Sequence, residues 1–192
     1  MRTLKNGGSE SLLKKLESFL EIQIPKQAID HGTITITEAE FFEEGDLSAL
    51  LPEKGPFLFF KDCPIAFAKS GKQVFLFGVM NVKDTFCEGH FGERVVLPLY
   101  MVGGAAGQLC AMYTAHKENG GKMMPVATEG SATSLGKDFI DVNKKLFFAI
   151  KLVLETKRGF DFEYSVYCDQ DPVAEGKVGS ISIPRRMVFR NK

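Results

Sequence analysis

The sequence has no tryptophan, no CxxC pair and no excess of either charge. Its 24 Lys and Arg balance 24 Asp and Glu. Non-specific nucleic-acid binding rests on a basic surplus, so nothing here argues for that class of function and no nucleic-acid partner is expected. A basic cluster near the end, Arg185, Arg186, Arg190 and Lys192, reads as a solvated tail. No run of about 18 apolar residues occurs, so no helical membrane span is expected. The opening MRTLKNGGSESLLKK carries no apolar stretch and no small-residue cleavage site, so a secretory signal is not expected. Cys63, Cys87, Cys110 and Cys168 lie far apart and the three histidines are scattered. Metal-ligand spacing is missing, so neither a metal site nor a cofactor is expected. Free thiols and a cytoplasmic location follow as expectations.

Phenylalanine is abundant instead, with 17 residues in a chain of 192. It is a large apolar filler without a polar handle, suited to a thick core or an apolar tunnel. The length suits one domain with a small appendage. Residues 9–22 read as an amphipathic helix with Leu12, Leu13, Leu16, Phe19 and Leu20 on one face. Ser9 is placed to cap it, and Pro25 to help stop it. The expected division is an N-terminal helical extension over residues 1–32 and a main domain over residues 33–192.

Within the main domain, TITITE (33–38) alternates as a strand does. Residues 63–81 read as a paired hairpin, turning at Lys69–Lys72. Residues 96–117 form the second long helical candidate. It contains Gly103, Gly104 and Gly107, and interior glycines each cost roughly 1 kcal/mol relative to alanine. Close packing against other backbone is the expected reason. Strands follow at 127–135, 146–155, 160–166 and 173–183. The run 146–155 is continuously apolar and is expected to be buried on both faces. Strands segregated from one central helix define an α+β class.

The chemistry concentrates in FCEGHFGERVVLPLYMVGGAAGQ, Phe86 to Gln108. Gly89 permits unusual backbone angles or a close approach. His90 lies between an apolar strand and an apolar helix, where imidazole titration responds to its surroundings. Pro98 suits the first turn of the helix. The first N–H groups of a helix lack intrahelical partners and can hold an oxyanion or a polarised carbonyl. An imidazole beside them can abstract a proton next to a thioester carbonyl, or orient a water for hydrolysis.

This stretch resembles the 3-hydroxyacyl-(acyl carrier protein) dehydratases, whose motif is G-H-F, then a proline seven residues after the phenylalanine, then a helix with an acid and a glutamine four residues on. Gly89, His90, Phe91, Pro98 and Gln108 stand in that register. Upstream, LLPEKGPFL (50–58) resembles the family's L-L-P-x-x-x-P-F-L. The resemblance covers residues 50–183. It implies a hot-dog fold, an antiparallel sheet wrapped around a long central helix. It implies His90 as the catalytic residue, with Gly89, Phe91, Pro98, Leu99, Gly104 and Gln108 binding substrate. It further implies an acyl carrier protein or coenzyme A thioester as partner, and a homodimer or higher homo-oligomer that joins two sheets and forms the site at the interface.

The chain departs from the motif at informative places. Gly104 stands where the family has its acid, Leu99 where it has a glycine, and Gly92 where it has a proline. The family's later P-V-x-P-G-D-like turn is missing from 139–146. Cys87, Glu88, Glu93 and Glu129 are the nearby groups by sequence that could replace the acid, although exposed carboxylates are the ordinary reading of the glutamates. Three functions stay open: a divergent dehydratase, an acyl thioesterase, and a non-catalytic homologue that binds an acyl chain or a carrier protein.

Overall fold

The computed structural model describes residues 1–5, 11–29, 35–43, 59–60, 63–83, 86, 96–118, 123–136, 140–157 and 159–184. Ten strands and two α-helices occur among them, in the order β1 (Arg2–Lys5), α1 (Leu12–Leu20), β2 (Glu38–Phe42), β3 (Ile65–Ser70), β4 (Gln73–Asn81), β5 (Val96–Leu97), α2 (Leu99–Lys117), β6 (Met123–Ser134), β7 (Ile140–Asp141), β8 (Lys145–Glu155), β9 (Gly159–Cys168) and β10 (Asp171–Pro184). Eight strands form one sheet in the order β1-β2-β3-β4-β8-β9-β10-β6, each pair antiparallel. The short β5 and β7 pair separately and tie the start of α2 to the approach of β8.

The period of two along each strand sends alternate side chains to opposite faces. Val74, Leu76 and Met80 of β4 join the cluster around α2, together with Phe67, Phe148, Phe162 and Leu109. Phe75, Phe77 and Val79 join a second cluster on the other face. There α1 supplies Leu12, Leu16 and Leu20, four residues apart and each at most 2% exposed. The sheet is therefore buried on both sides at its centre, and the phenylalanines fill two cores. On the outer face Phe77 stacks on Phe147 at 5.8 Å. On the inner face Phe60 meets Phe148 edge-on at 5.3 Å.

Several boundaries differ from the sequence reading. The hydroxyl of Ser11 caps α1, accepting from the N–H of Lys14 at 3.3 Å; Ser9 lies outside the described residues. The helix ends when Glu21 turns left-handed, at φ 53°, before Pro25 is reached. The strand expected at 33–38 begins instead at Glu38, and Thr35 to Thr37 only lead into it. Residues 2–5, unread as structure in the sequence, pair with β2.

Strand β8 is buried on both faces only from Leu146 to Ile150. Its pairing with β4 stops at Lys151. Beyond that point Val153 and Leu154 are 53% and 50% exposed. An apolar run thus reads as a core strand along its whole length, while the cover ends halfway.

Close contact between α2 and the sheet depends on Gly78 of β4. A Cβ there would lie 2.8 Å from the Phe60 ring and 2.9 Å from a methyl of Leu109. Gly78→Val is expected to lower stability by about 1–3 kcal/mol, the usual cost of overpacking. Urea unfolding monitored by far-UV circular dichroism measures this. A midpoint equal to wild type would show that Phe60 and Leu109 swing aside without cost.

Candidate functional site

Helix α2 begins directly after Pro98, its N-terminal flanking residue, and runs 19 residues through the inner core. Leu99 is the first helical residue, so its N–H has no partner within the helix. The N–H of Met101 already bonds the Pro98 carbonyl at 3.0 Å. Burial rather than amphipathicity holds this helix, with ten of its side chains buried, among them Val102, Leu109 and Met112. The last turn carries His116 and Lys117, and the lysine is a cation placed where the helix dipole favours one.

One side of α2 is bare. Gly103, Gly104, Gly107 and Ala111 face β6 across a cleft of about 430 Å³, closed by Phe59, Gln108 and Val178. The close-packing explanation of the glycines does not hold. A Cβ at Gly107 would meet nothing within 4 Å, and one at Gly104 would touch the Phe59 ring at an ordinary 3.5 Å. At Gly103 the nearest groups are Ala132 Cβ at 3.5 Å and the Tyr164 hydroxyl at 3.6 Å. All three positions have room for an alanine. The glycines lower the helix surface and widen the cleft.

Gln108 is 6% exposed, and its Oε1 accepts a hydrogen bond from the Phe59 N–H at 2.9 Å. This bond fixes the end of the upstream apolar segment against α2, four residues from Gly104. Phe59 also contacts Phe86 at 5.3 Å between ring centroids. On the far side, the Tyr164 hydroxyl donates to the Ser131 carbonyl at 2.7 Å. Burial, and then Cys110, push that hydroxyl's pKa up to about 12. Burial likewise pushes the Cys110 thiol well above its usual range. Both groups stay protonated at neutral pH, which makes Tyr164 a fixed donor and not a base.

Of the expected site residues, the structure places Pro98 and Leu99 at the start of α2 and Gly104 and Gln108 on the cleft. Gly89, His90 and Phe91 lie outside the described residues, as do Gly92, Cys87, Glu88 and Glu93 and the upstream motif 50–58.

Glu129 belongs to the cleft wall, but its side chain is turned away. A Cβ at Gly179 would sit 3.0 Å from Glu129 Cγ and 3.5 Å from its Oε1. The adjacent Val178 faces α2 and the cleft, so alternation puts Gly179, and Glu129 over it, on the other face. Glu129 therefore does not replace the acid missing at Gly104. Among the described residues lining the cleft no other carboxylate occurs.

Sequence reasoning passed over two contacts. The Phe59–Gln108 bond joins positions 49 apart. The pair of His116 with Glu40, at 2.8 Å, joins positions 76 apart. The alternation of Glu38 and Glu40 with buried Phe42 was the available hint that these carboxylates face inward.

No family model matches the sequence, and no curated protein matches it. Solved structures do. The chain is similar to the dehydratase heterocomplex ApeI:P from Xenorhabdus doucetiae, at 12% identity and a TM-score of 0.56 over 76% of this chain and 97% of that one. It is similar to a hot-dog-like protein from Thermanaerovibrio acidaminovorans, at 11% identity and a TM-score of 0.53 over 60% and 85%. It is also similar to the fluoroacetyl-CoA thioesterase FlK, at 12% identity and a TM-score of 0.54 over 60% and 90%. The chain has the hot-dog fold, a large antiparallel sheet around the central α2, with α1 on the outer face. Among the described residues, no helix is long and apolar enough to cross a membrane.

Proposed function

We propose that this protein acts on fatty-acyl thioesters as a divergent 3-hydroxyacyl-thioester dehydratase. His90 is the base that takes the proton next to the thioester carbonyl. The backbone N–H of Leu99, at the start of α2, faces the developing oxyanion. The acyl chain lies along the glycine face of α2. The observation that carries this reading is the cleft itself, about 430 Å³ beside Gly104 and Gln108, at the helix positions that the motif assigns to substrate. Its walls are largely apolar, as an acyl chain requires.

The substrate is delivered as an acyl carrier protein or coenzyme A thioester. The site is completed in a homodimer. Strand β6 supports this. It is an edge strand of 12 residues with one charge, Glu129, and a long, nearly uncharged edge is a template for pairing with another chain. Pro125 is tolerated there because an edge strand spares some of its N–H groups from pairing.

One observation favours a second reading, acyl thioester hydrolysis. Dehydration expels hydroxide, a poor leaving group that needs a proton donor. Apart from Glu129, whose side chain is turned away, the described residues lining the cleft offer no carboxylate for that step, whereas a thiolate leaves without comparable help. A panel of saturated, enoyl and 3-hydroxyacyl thioesters separates the two. Interconversion of 3-hydroxyacyl and enoyl thioesters is the expected result. Release of free thiol from saturated thioesters would assign hydrolysis instead. No turnover of any member, with lipid still retained, would leave a binding protein.

A further inference from the structure

Helix α1 packs over β2 and β3 on the outer face of the sheet. Strand β1 lies one place further out and forms the edge opposite β6, so its outer face lies at the flank of the helix. An open cavity of about 320 Å³ occupies this corner, between α1 and the strands β1 and β2. The thioester cleft is at the other edge of the sheet and on the other face.

Two periodicities build the cavity. Arg2 and Leu4 stand two apart on β1 and so share a face, and Leu4 packs with the outer cluster. Phe41 of β2, opposite Arg2 in the strand register, belongs to the same cluster. Lys15, Ser18 and Phe19 come from one side of α1, at spacings of three and four. The Phe19 ring meets the Phe41 ring edge-on, at 4.8 Å between centroids. Leu4, Phe19 and Phe41 thus make an apolar floor, and Arg2, Lys15 and Ser18 stand around it.

The rim decides the sign of the ligand. Arg2 and Lys15 offer hydrogen-bond donors only. Among the described residues neither has a carboxylate within ion-pair distance, unlike Lys5 and Lys69, which both pair with Glu38. The Ser18 hydroxyl makes no hydrogen bond there either, whereas the helical Thr114 bonds the carbonyl four residues back. Glu43 is the one acid among the lining residues. Two cations against one carboxylate leave a single net positive charge, which suits a monoanion and opposes a cation. The apolar floor asks in turn for a hydrocarbon part, which a small hydrated anion lacks.

We infer that this cavity binds a small apolar monocarboxylate. Its carboxylate lies between the Arg2 guanidinium and the Lys15 ammonium, where arginine's planar fork can hold both oxygens, and the Ser18 hydroxyl donates a further hydrogen bond. The hydrocarbon part rests on Phe19 and Phe41. The volume stands at the lower end of the range for ligand pockets, about 300–1,000 Å³, in keeping with an acid the size of hexanoate. This site is separate from the proposed thioester cleft and does not depend on its activity.

The test is a titration of the full chain with hexanoate, read on the Leu4 methyl and Phe19 ring resonances in ¹H–¹³C spectra. The Val178 methyls report the thioester cleft, so occupancy of the two places is told apart. Acetate, which lacks the hydrocarbon part, and hexylammonium, of opposite charge, are the controls. Saturable shifts at Leu4 and Phe19 with hexanoate alone are expected, with an affinity that weakens as salt is raised. In Arg2→Gln and in Lys15→Gln the affinity should fall about threefold to fivefold, the upper range for one exposed ion pair. Arg2 is exposed and Lys15 half-buried, so neither change removes core packing. Shifts confined to Val178, or no saturation at Leu4 and Phe19, would overturn the inference. So would equal shifts with acetate or hexylammonium, or an unchanged affinity in either variant. The comparison of hexanoate with its two controls stands on wild type even if a variant folds poorly.

Discussion

His90→Ala is expected to lower turnover of a 3-hydroxyacyl thioester by about 10²–10⁴-fold, the range for removing a positioned acid–base group. Among the described residues near α2, neither of the buried titratable groups Tyr164 and Cys110 serves as a second base. Tyr164 stays protonated, with its pKa pushed up to about 12, and the buried Cys110 thiol is harder still to ionise than usual. Formation of the enoyl thioester, followed by its ultraviolet absorbance, measures the effect. Glu129→Gln serves as the internal comparison. Its carboxylate lies over Gly179 on the face away from α2, so turnover should stay within about twofold, as for an ordinary surface substitution. Wild-type rates in His90→Ala would remove the imidazole from the mechanism. A large loss in Glu129→Gln would contradict its observed orientation.

Gly104→Glu is expected to raise the dehydration rate by about 10²-fold or more, because it restores a carboxyl at the position where the related motif carries one. Room exists for the side chain. The Cβ meets only the Phe59 ring, at 3.5 and 3.7 Å, and the cleft lies beyond. The replacement also removes a glycine from a helix interior, worth roughly 0.5–1 kcal/mol of stability. Gly104→Gln has nearly the same shape and stabilises the helix similarly, but does not donate a carboxylic proton. A gain with glutamate and none with glutamine places the missing step at proton donation to the leaving hydroxide. Equal rates in both variants would show that the native reaction does not need a group there, which favours the hydrolytic reading.

These two substitutions bear on one contrast within α2. Gly104 and Gln108 lie one turn apart on the same face, and both border the cleft. Gln108 spends its carbonyl oxygen on the Phe59 N–H, so it positions the cleft wall. Gly104 contributes empty space. In the proposed mechanism the helix therefore keeps Gln108, which shapes the cleft, and lacks at Gly104 the carboxyl that the related motif carries.

Much of this was legible in the chain itself. Alternation along 160–166 announced the half-buried β9, and Leu12, Leu16 and Leu20 announced the buried face of α1. The hairpin of β3 and β4 and the length of α2 followed from local pattern, because period and turn chemistry act over a few residues. The motif around His90, Pro98 and Gln108 pointed to the fold before any coordinates.

Other features depended on groups far apart in sequence. The glycines of α2 look the same whether backbone packs against them or a cleft opens beside them; only the position of β6 decides for the cleft. Glu129 is a plausible acid until the register with Gly179 turns it to the other face. The outer half of β8 reads as core until β4 ends short of it. The pair of Glu40 with His116 arises from a strand and a helix brought together by the fold. Sequence alone determined most of the elements and pointed to the segment on which the proposed thioester chemistry rests. Which side chains face a common space was decided by the tertiary fold, because facing depends on long-range register and packing, and local periodicity does not encode either.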